Sequence, residues 1–210
     1  MKQLILKNFG LAMLIGLFVS PVWAAKFEEN IHYTEIPFSE STFDGKQVEV
    51  REFFWYGCGH CYQFEPLLEK WLKNKPKSAK FVRTPAFPNK IVHARSYYAF
   101  EAMGIVDGMH GKVFEAIHAK HNHLESVDEV ADLVKANGFD AGEFMKQYKS
   151  FSVDSNTRQA FQLGASYGVR SVPTVVVDGR FVVSASTAGS HERVLQVIDY
   201  LVDRISKSKK

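Results

Sequence analysis

Apolar positions along this chain change period repeatedly, and each change marks an element. Val48, Val50, Phe53, Phe54 and Trp55 first alternate with polar residues and then run on unbroken, the pattern of a strand that becomes fully buried at its far end. Directly afterwards Phe64, Leu67, Leu68, Trp71 and Leu72 recur at helical spacing, which predicts a helix reaching about Asn74. Lys80-Phe81-Val82-Arg83-Thr84 predicts another strand, ended by Pro85 and Pro88. A short strand at Tyr33-Thr34-Glu35-Ile36 precedes all of these. The β-α-β order builds a sheet with parallel neighbours.

Between residues 91 and 162 the strand signals fade and helical ones take over. Ser126-Val127-Asp128-Glu129 is a capping box, followed by an apolar face of Val127, Val130, Leu133 and Val134 and closed by Asn137-Gly138. Asp140 resembles a second start, and Ala94 to Met103 and Lys112 to Lys120 are further helices. Sheet then returns: residues 171–183 predict a hairpin turning at Asp178-Gly179. A last helix begins near Ser190 and buries Val194, Leu195, Val197, Ile198, Leu201, Val202 and Ile205. The helical block therefore interrupts the sheet half, dividing the chain into residues 25–90, 91–162 and 163–210.

Only two cysteines occur in 210 residues, and they lie together in Cys58-Gly59-His60-Cys61. Falling between a buried strand and a helix, the pair has the layout of a redox dithiol. A helix start offers free N–H groups and the positive end of the macrodipole, which favour a thiolate. Cys58, the outermost, is thus expected to be the attacking sulfur with a depressed pKa, and Cys61 the less exposed resolving thiol. His60 adds an imidazole that charges near neutral pH. Exchange would pass through a mixed disulfide at Cys58.

Competing uses of these residues are weaker. Zinc needs about four ligands and there is no second cysteine pair. His118, His121 and His123 cluster in a polar stretch that reads as a helix end and loop. No metal and no dissociable cofactor is expected, only the redox-active Cys58–Cys61 disulfide. A purely structural disulfide across so short a loop would add little stability.

The first residues set the expected compartment. Met1-Lys2-Gln3 and Lys7 form a positive region, residues 11–19 an apolar run, and Pro21-Val22-Trp23-Ala24 a cleavage site after Ala24. This is a signal peptide in all three parts, so residues 1–24 are expected to be removed on export. One CxxC in an otherwise cysteine-free exported chain implies chemistry rather than a stapled scaffold. The net charge of +3 drops to about +1 once Lys2 and Lys7 are gone. No basic stripe with interleaved aromatics is present, so nucleic acid is not expected as a partner.

Glu52-Phe53-Phe54, then Cys58-x-His60-Cys61-Tyr62-Gln63-Phe64-Glu65, then Val172-Pro173-Thr174 resemble the DsbA family of periplasmic thioredoxin-fold disulfide oxidants over nearly the whole mature chain. The resemblance implies an α/β, thioredoxin-like fold interrupted by an all-α helical insertion domain, with the active site at their junction. It implies donation of the Cys58–Cys61 disulfide to reduced or unfolded exported proteins, and reoxidation by a DsbB-type, quinone-linked inner-membrane partner. Cys58 matches the nucleophile, His60 the residue that stabilises its thiolate, and Cys61 the resolving thiol. Pro173 matches a cis-proline loop where substrate pairs with backbone beside Val172. Glu52 matches a carboxylate under the cysteines that assists proton transfer to Cys61, the alternative being a strand-end surface charge. Glu65 matches a nearby acid, and its own pattern reads more simply as a solvated helix residue. Gly59 departs from the type member, which has proline there, and so bears on oxidising strength rather than on the chemistry.

An isomerase or reductase of the same fold is the nearest rival. A DsbC-type isomerase would carry an N-terminal dimerisation domain, and a monomer is expected here. A thioredoxin-fold chaperone that binds unfolded chains, and a metal carrier, stand further off.

Overall fold

The fold grows from one hydrophobic strand. The computed structural model describes residues 27–87 and 91–208; the expected leader, residues 1–24, lies outside them. In β2 (Val48–Phe54), residues 48, 50, 52 and 54 share one face and 49, 51 and 53 the other. β2 pairs in parallel with β3 (Ala79–Pro85) and antiparallel with β4 (Thr174–Val177). β5 (Phe181–Val183) and the two-residue β1 (Thr34–Glu35) complete the sheet, in the order β1-β5-β4-β2-β3. Asp178 and Gly179 both take positive φ, 60° and 67°, at the centre of a turn closed by the Arg180 N–H donating to the Val177 carbonyl at 3.0 Å, and the pairing of Val177 with Phe181 leaves Arg180 as a third connecting residue.

Two helices cover the Val48/Val50 face: α1 (Gly59–Asn74) and α8 (His191–Lys207), which is capped by Ser190. Phe64, Leu68 and Trp71 from α1 and Val194, Val197, Ile198, Leu201 and Val202 from α8 form one core with Val175 and Val177. The helical block comprises α2 (Ile91–Ala102), α3 (Val106–His118), α4 (Val127–Ala136), α5 (Ala141–Tyr148) and α6 (Phe151–Ser166). The Ser126–Glu129 capping box at the start of α4 forms in both directions. This block has its own core around Phe100, Phe114, Met109 and Phe144, and that core also takes in Phe54, Tyr56 and Cys61.

Two sequence boundaries shift. The expected division between residues 162 and 163 falls inside α6, which runs unbroken to Ser166. It crosses onto the sheet because Phe53 packs with Leu163 and Tyr167, and its Gly164 faces the same ring, where an added Cβ would meet Cε1 in ordinary contact at 3.5 Å. The hairpin expected from residue 171 has its first strand only from Thr174. Pro173 has no N–H to give a ladder, and Ser171-Val172-Pro173 instead form a loop with a cis Val172–Pro173 bond. A four-residue helix, α7 (Ala185–Ala188), precedes α8.

Candidate active site

The site is assembled where β2 ends. The chain leaves Phe54, turns through Trp55-Tyr56-Gly57, and enters α1 with Cys58 as the N-cap. Cys58 accepts on its own sulfur from the Cys61 amide at 3.4 Å, so the side chain does the work that serine or aspartate does at other helix starts. From across the junction, the Val172 carbonyl lies 3.3 Å from Cys58 Sγ. Both cysteines are free thiols here; Cys58 is partly exposed and Cys61 fully buried.

That placement separates the two sulfurs chemically. The Cys58 pKa falls from 9.0 to about 6, first because the Cys61 thiol donates to it and then because the amides of Cys61 and His60 do. The charge of His60 contributes least among these causes, so the helix start outweighs the imidazole that the sequence brings forward. Cys61 moves strongly the other way: burial raises its pKa, and the Cys58 thiolate and Glu52 add to the shift.

Beneath α1, Glu52 is completely buried on the Val48/Val50 face of β2. It is therefore not the strand-end surface charge weighed as its alternative. In the sheet it stands between Val175 on β4 and Arg83 on β3. Neither carboxyl oxygen has a hydrogen-bond partner among the described residues, and Arg83 Nε stands 3.5 Å from Oε2. Burial, then repulsion from Glu65, raises its pKa to about 8 despite the attraction of Arg83.

Glu65 is not the solvated helix residue its own pattern suggests. It is only 9% exposed, accepting from Arg83 at 3.0 Å and from His110 Nε2 at 3.1 Å. The helical block packs against α1 and closes over a position that an isolated helix would leave in water. Burial alone would raise its pKa, but the His110 bond and the Arg83 charge outweigh burial and lower it.

The sequence missed Arg83, His110 and Tyr56. Arg83 could have been found from the parallel register, which places it beside Glu52. His110 is a polar residue at helical spacing with Val106, Val113 and Phe114, a lone imidazole on an apolar face.

The three histidines of the cluster stay near one another but make different contacts. His118 Nε2 donates to the Tyr56 carbonyl at 2.7 Å while its ring stacks on Tyr62, centroids 4.9 Å apart. His118, His121 and His123 all line one cavity of about 480 Å³, together with Trp55, Gly57 and His93. Among the described residues no group of three or more His, Cys, Asp or Glu is placed to hold a metal ion. Of the aromatic run after Glu52, Phe54 and Tyr56 are core, whereas Trp55 is half-buried and donates from Nε1 to His93 Nδ1 at 3.0 Å. On the other side of Cys58, a groove of about 320 Å³ runs past His60, Val172, Pro173, Ser186 and His191.

Comparison with known proteins meets this geometry from three directions. Residues 87–195 match the family model of the DSBA-like thioredoxin domain, a span that begins after the cysteines. The thiol:disulfide interchange protein DsbA of Pseudomonas aeruginosa is 36% identical over 206 residues, 97% of each chain, so that similarity spans the CxxC as well. DsbA of Azotobacter vinelandii is 36% identical over 174 residues, 82% of this chain and 81% of that one. The crystal structure of Pseudomonas aeruginosa DsbA superposes with a TM-score of 0.82 at 35% identity, covering 88% of this chain and 97% of that one.

Proposed function

This chain belongs to the DsbA-like thioredoxin family and is a thiol:disulfide oxidoreductase, and from that premise we propose that it acts as an exported disulfide donor. The observation that carries the proposal is the asymmetry of the pair: an accessible Cys58 with a pKa of about 6, held by amides at a helix start, over a buried Cys61 with a strongly raised one.

The steps follow from that asymmetry. A substrate thiolate attacks Cys58 Sγ of the oxidised protein, the Cys58–Cys61 bond breaks, and the electron pair leaves on Cys61. Cys61 holds its proton tightly, so this sulfur must be protonated as it leaves, and Glu52, titrating near 8, is the carboxyl placed beneath to supply that proton. A second substrate thiolate then attacks the substrate sulfur of the mixed disulfide and expels Cys58. A sulfur with a low pKa leaves faster, so the helix start assists release of the oxidised product. The substrate loses two electrons and two protons; the enzyme takes both electrons and holds one proton on Cys61, while Cys58 leaves as a thiolate and the other proton goes to solvent.

Val172 and Pro173 form the wall facing Cys58, where an extended substrate segment would pair with backbone. His60 lines the adjoining groove and adds a small electrostatic contribution to the thiolate. In this reading residues 1–24 direct export to the periplasm and are cleaved after Ala24, and the mature monomer is reoxidised by a DsbB-type quinone-linked membrane partner. The disulfide itself is the redox group.

The test is stoichiometric transfer. Oxidised protein, mixed with an equal amount of a reduced, unfolded protein containing one cysteine pair, is expected to lose its disulfide as the substrate gains one. A substrate that stays reduced while the enzyme stays oxidised would remove the donor assignment.

A further inference from the structure

One buried imidazole takes no part in the exchange steps. His110 interrupts the apolar face of α3, and burying it without partners would be costly. Both ring nitrogens are engaged: Tyr56 Oη lies 2.9 Å from Nδ1, and Glu65 Oε1 lies 3.1 Å from Nε2. A carboxylate only accepts, so Nε2 carries the proton and Nδ1 accepts from the Tyr56 hydroxyl. Burial lowers the pKa of His110 and raises that of Tyr56, which keeps both groups neutral.

The chain of bonds continues through Glu65. Its Oε2 accepts from an Arg83 terminal nitrogen at 3.0 Å, and the same nitrogen reaches Glu69 Oε1 at 2.8 Å. Arg83 Nε faces Glu52 at 3.5 Å without making a hydrogen bond. One guanidinium thus serves three carboxylates, and Glu52 receives the poorest share. We propose that His110 is a positioning residue: by donating to Glu65 it holds that carboxylate ionised against Arg83, which withholds the guanidinium from Glu52 and keeps Glu52 able to carry a proton for Cys61.

The last clause rests on the role given to Glu52 above; the rest stands on the bonds alone. Without the His110 donor, burial would push Glu65 toward its protonated form, with only Arg83 left to oppose it. A neutral Glu65 neither repels Glu52 nor competes for Arg83, so the proton affinity of Glu52 should fall. Other charged or titratable groups face His110 from every side: Glu69 on α1, Arg83 on β3, Tyr97 on α2 and Asp107 on α3 itself. Among the described residues only Tyr56 and Glu65 bond to it. A cavity of about 400 Å³ lined by Glu65, Glu69, Arg83, Asp107 and His110 opens the Glu65–Arg83 side of this cluster to solvent, while Glu52 stays buried behind it.

The test is a carboxyl titration of the reduced protein by difference infrared spectroscopy, with Glu52→Gln identifying the Glu52 band. The parent midpoint is expected near pH 8. His110→Phe, which keeps an aromatic ring and removes the donor, is expected to lower it by about one unit. His110→Gln, whose amide can still donate to Glu65, should restore most of the shift. An unchanged midpoint in His110→Phe would overturn the inference. So would an equal fall in His110→Gln, which would assign the effect to packing. The role of Glu52 is read separately, from the pH profile of disulfide transfer. A Glu52→Gln protein with the parental profile would refute that role and leave the effect of His110 on the Glu52 titration standing.

Discussion

Cys61→Ala is expected to be recovered from cells covalently joined to other proteins, as a ladder on non-reducing gels that collapses on reduction. Cys58 remains at the start of α1 and keeps the amides of Cys61 and His60, so it still reacts, but no buried thiol is left to displace the partner from it. Cys58→Ala should give the opposite picture. Cys61 is fully buried with a strongly raised pKa and cannot replace the lost nucleophile. Disulfide transfer should therefore fall to the uncatalysed level, and no ladder should form. If Cys58→Ala still formed mixed disulfides, the division of labour between the two sulfurs would be wrong.

The second large effect is a pH-dependent difference in stability between the two redox forms. In the dithiol, Cys58 has a folded pKa of about 6 against 9.0 unperturbed. A depressed folded pKa stabilises the native state above the unfolded pKa, and that stabilisation is lost as pH falls through the folded one. The contribution is thus full above about pH 9, shrinks between 9 and 6, and vanishes below. Three units correspond to at most about 4 kcal/mol, and about half of that after solvent screening of a partly exposed sulfur. At pH 7 the unscreened figure is about 1.4 kcal/mol, equivalent to about 30 mV. The oxidised form has no thiolate and lacks this contribution altogether. Thermal unfolding should show the lead of the reduced protein over the oxidised one growing from pH 5 to pH 9. A difference independent of pH would mean that the thiolate does not stabilise the dithiol fold.

How far the molecule could be read in advance varied with how local the physics was. The cysteine pair at a strand-to-helix junction, the Ser126 capping box, the Asp178-Gly179 turn and the apolar face of α8 each depend on a few neighbouring residues, and all were legible. Residues that face the helical block were harder. Nothing within a few positions of Glu65 shows that α3 will cover it, and nothing near Gly164 shows that Phe53 will pack there. Glu52 lay between these cases: strand alternation puts it on the face of Val48 and Val50, but its partner Arg83 emerges only from the β2–β3 register. His60 stood out in the sequence for a related reason. A charged neighbour is obvious in a sequence, whereas the thiol and amide donors that lower the Cys58 pKa more belong to the geometry of the turn.

The reduction potential of the mature protein, equilibrated in glutathione buffers at pH 7, tests disulfide donation most directly. Protein disulfide isomerase lies near −180 mV and thioredoxin near −270 mV, and about 30 mV is a tenfold change in equilibrium constant. Disulfide donation predicts a value at or above about −180 mV, with the thiolate stabilised at the start of α1 shifting the couple in the oxidising direction. A value near −270 mV would contradict disulfide donation and make the dithiol the working form, that of an exported reductase.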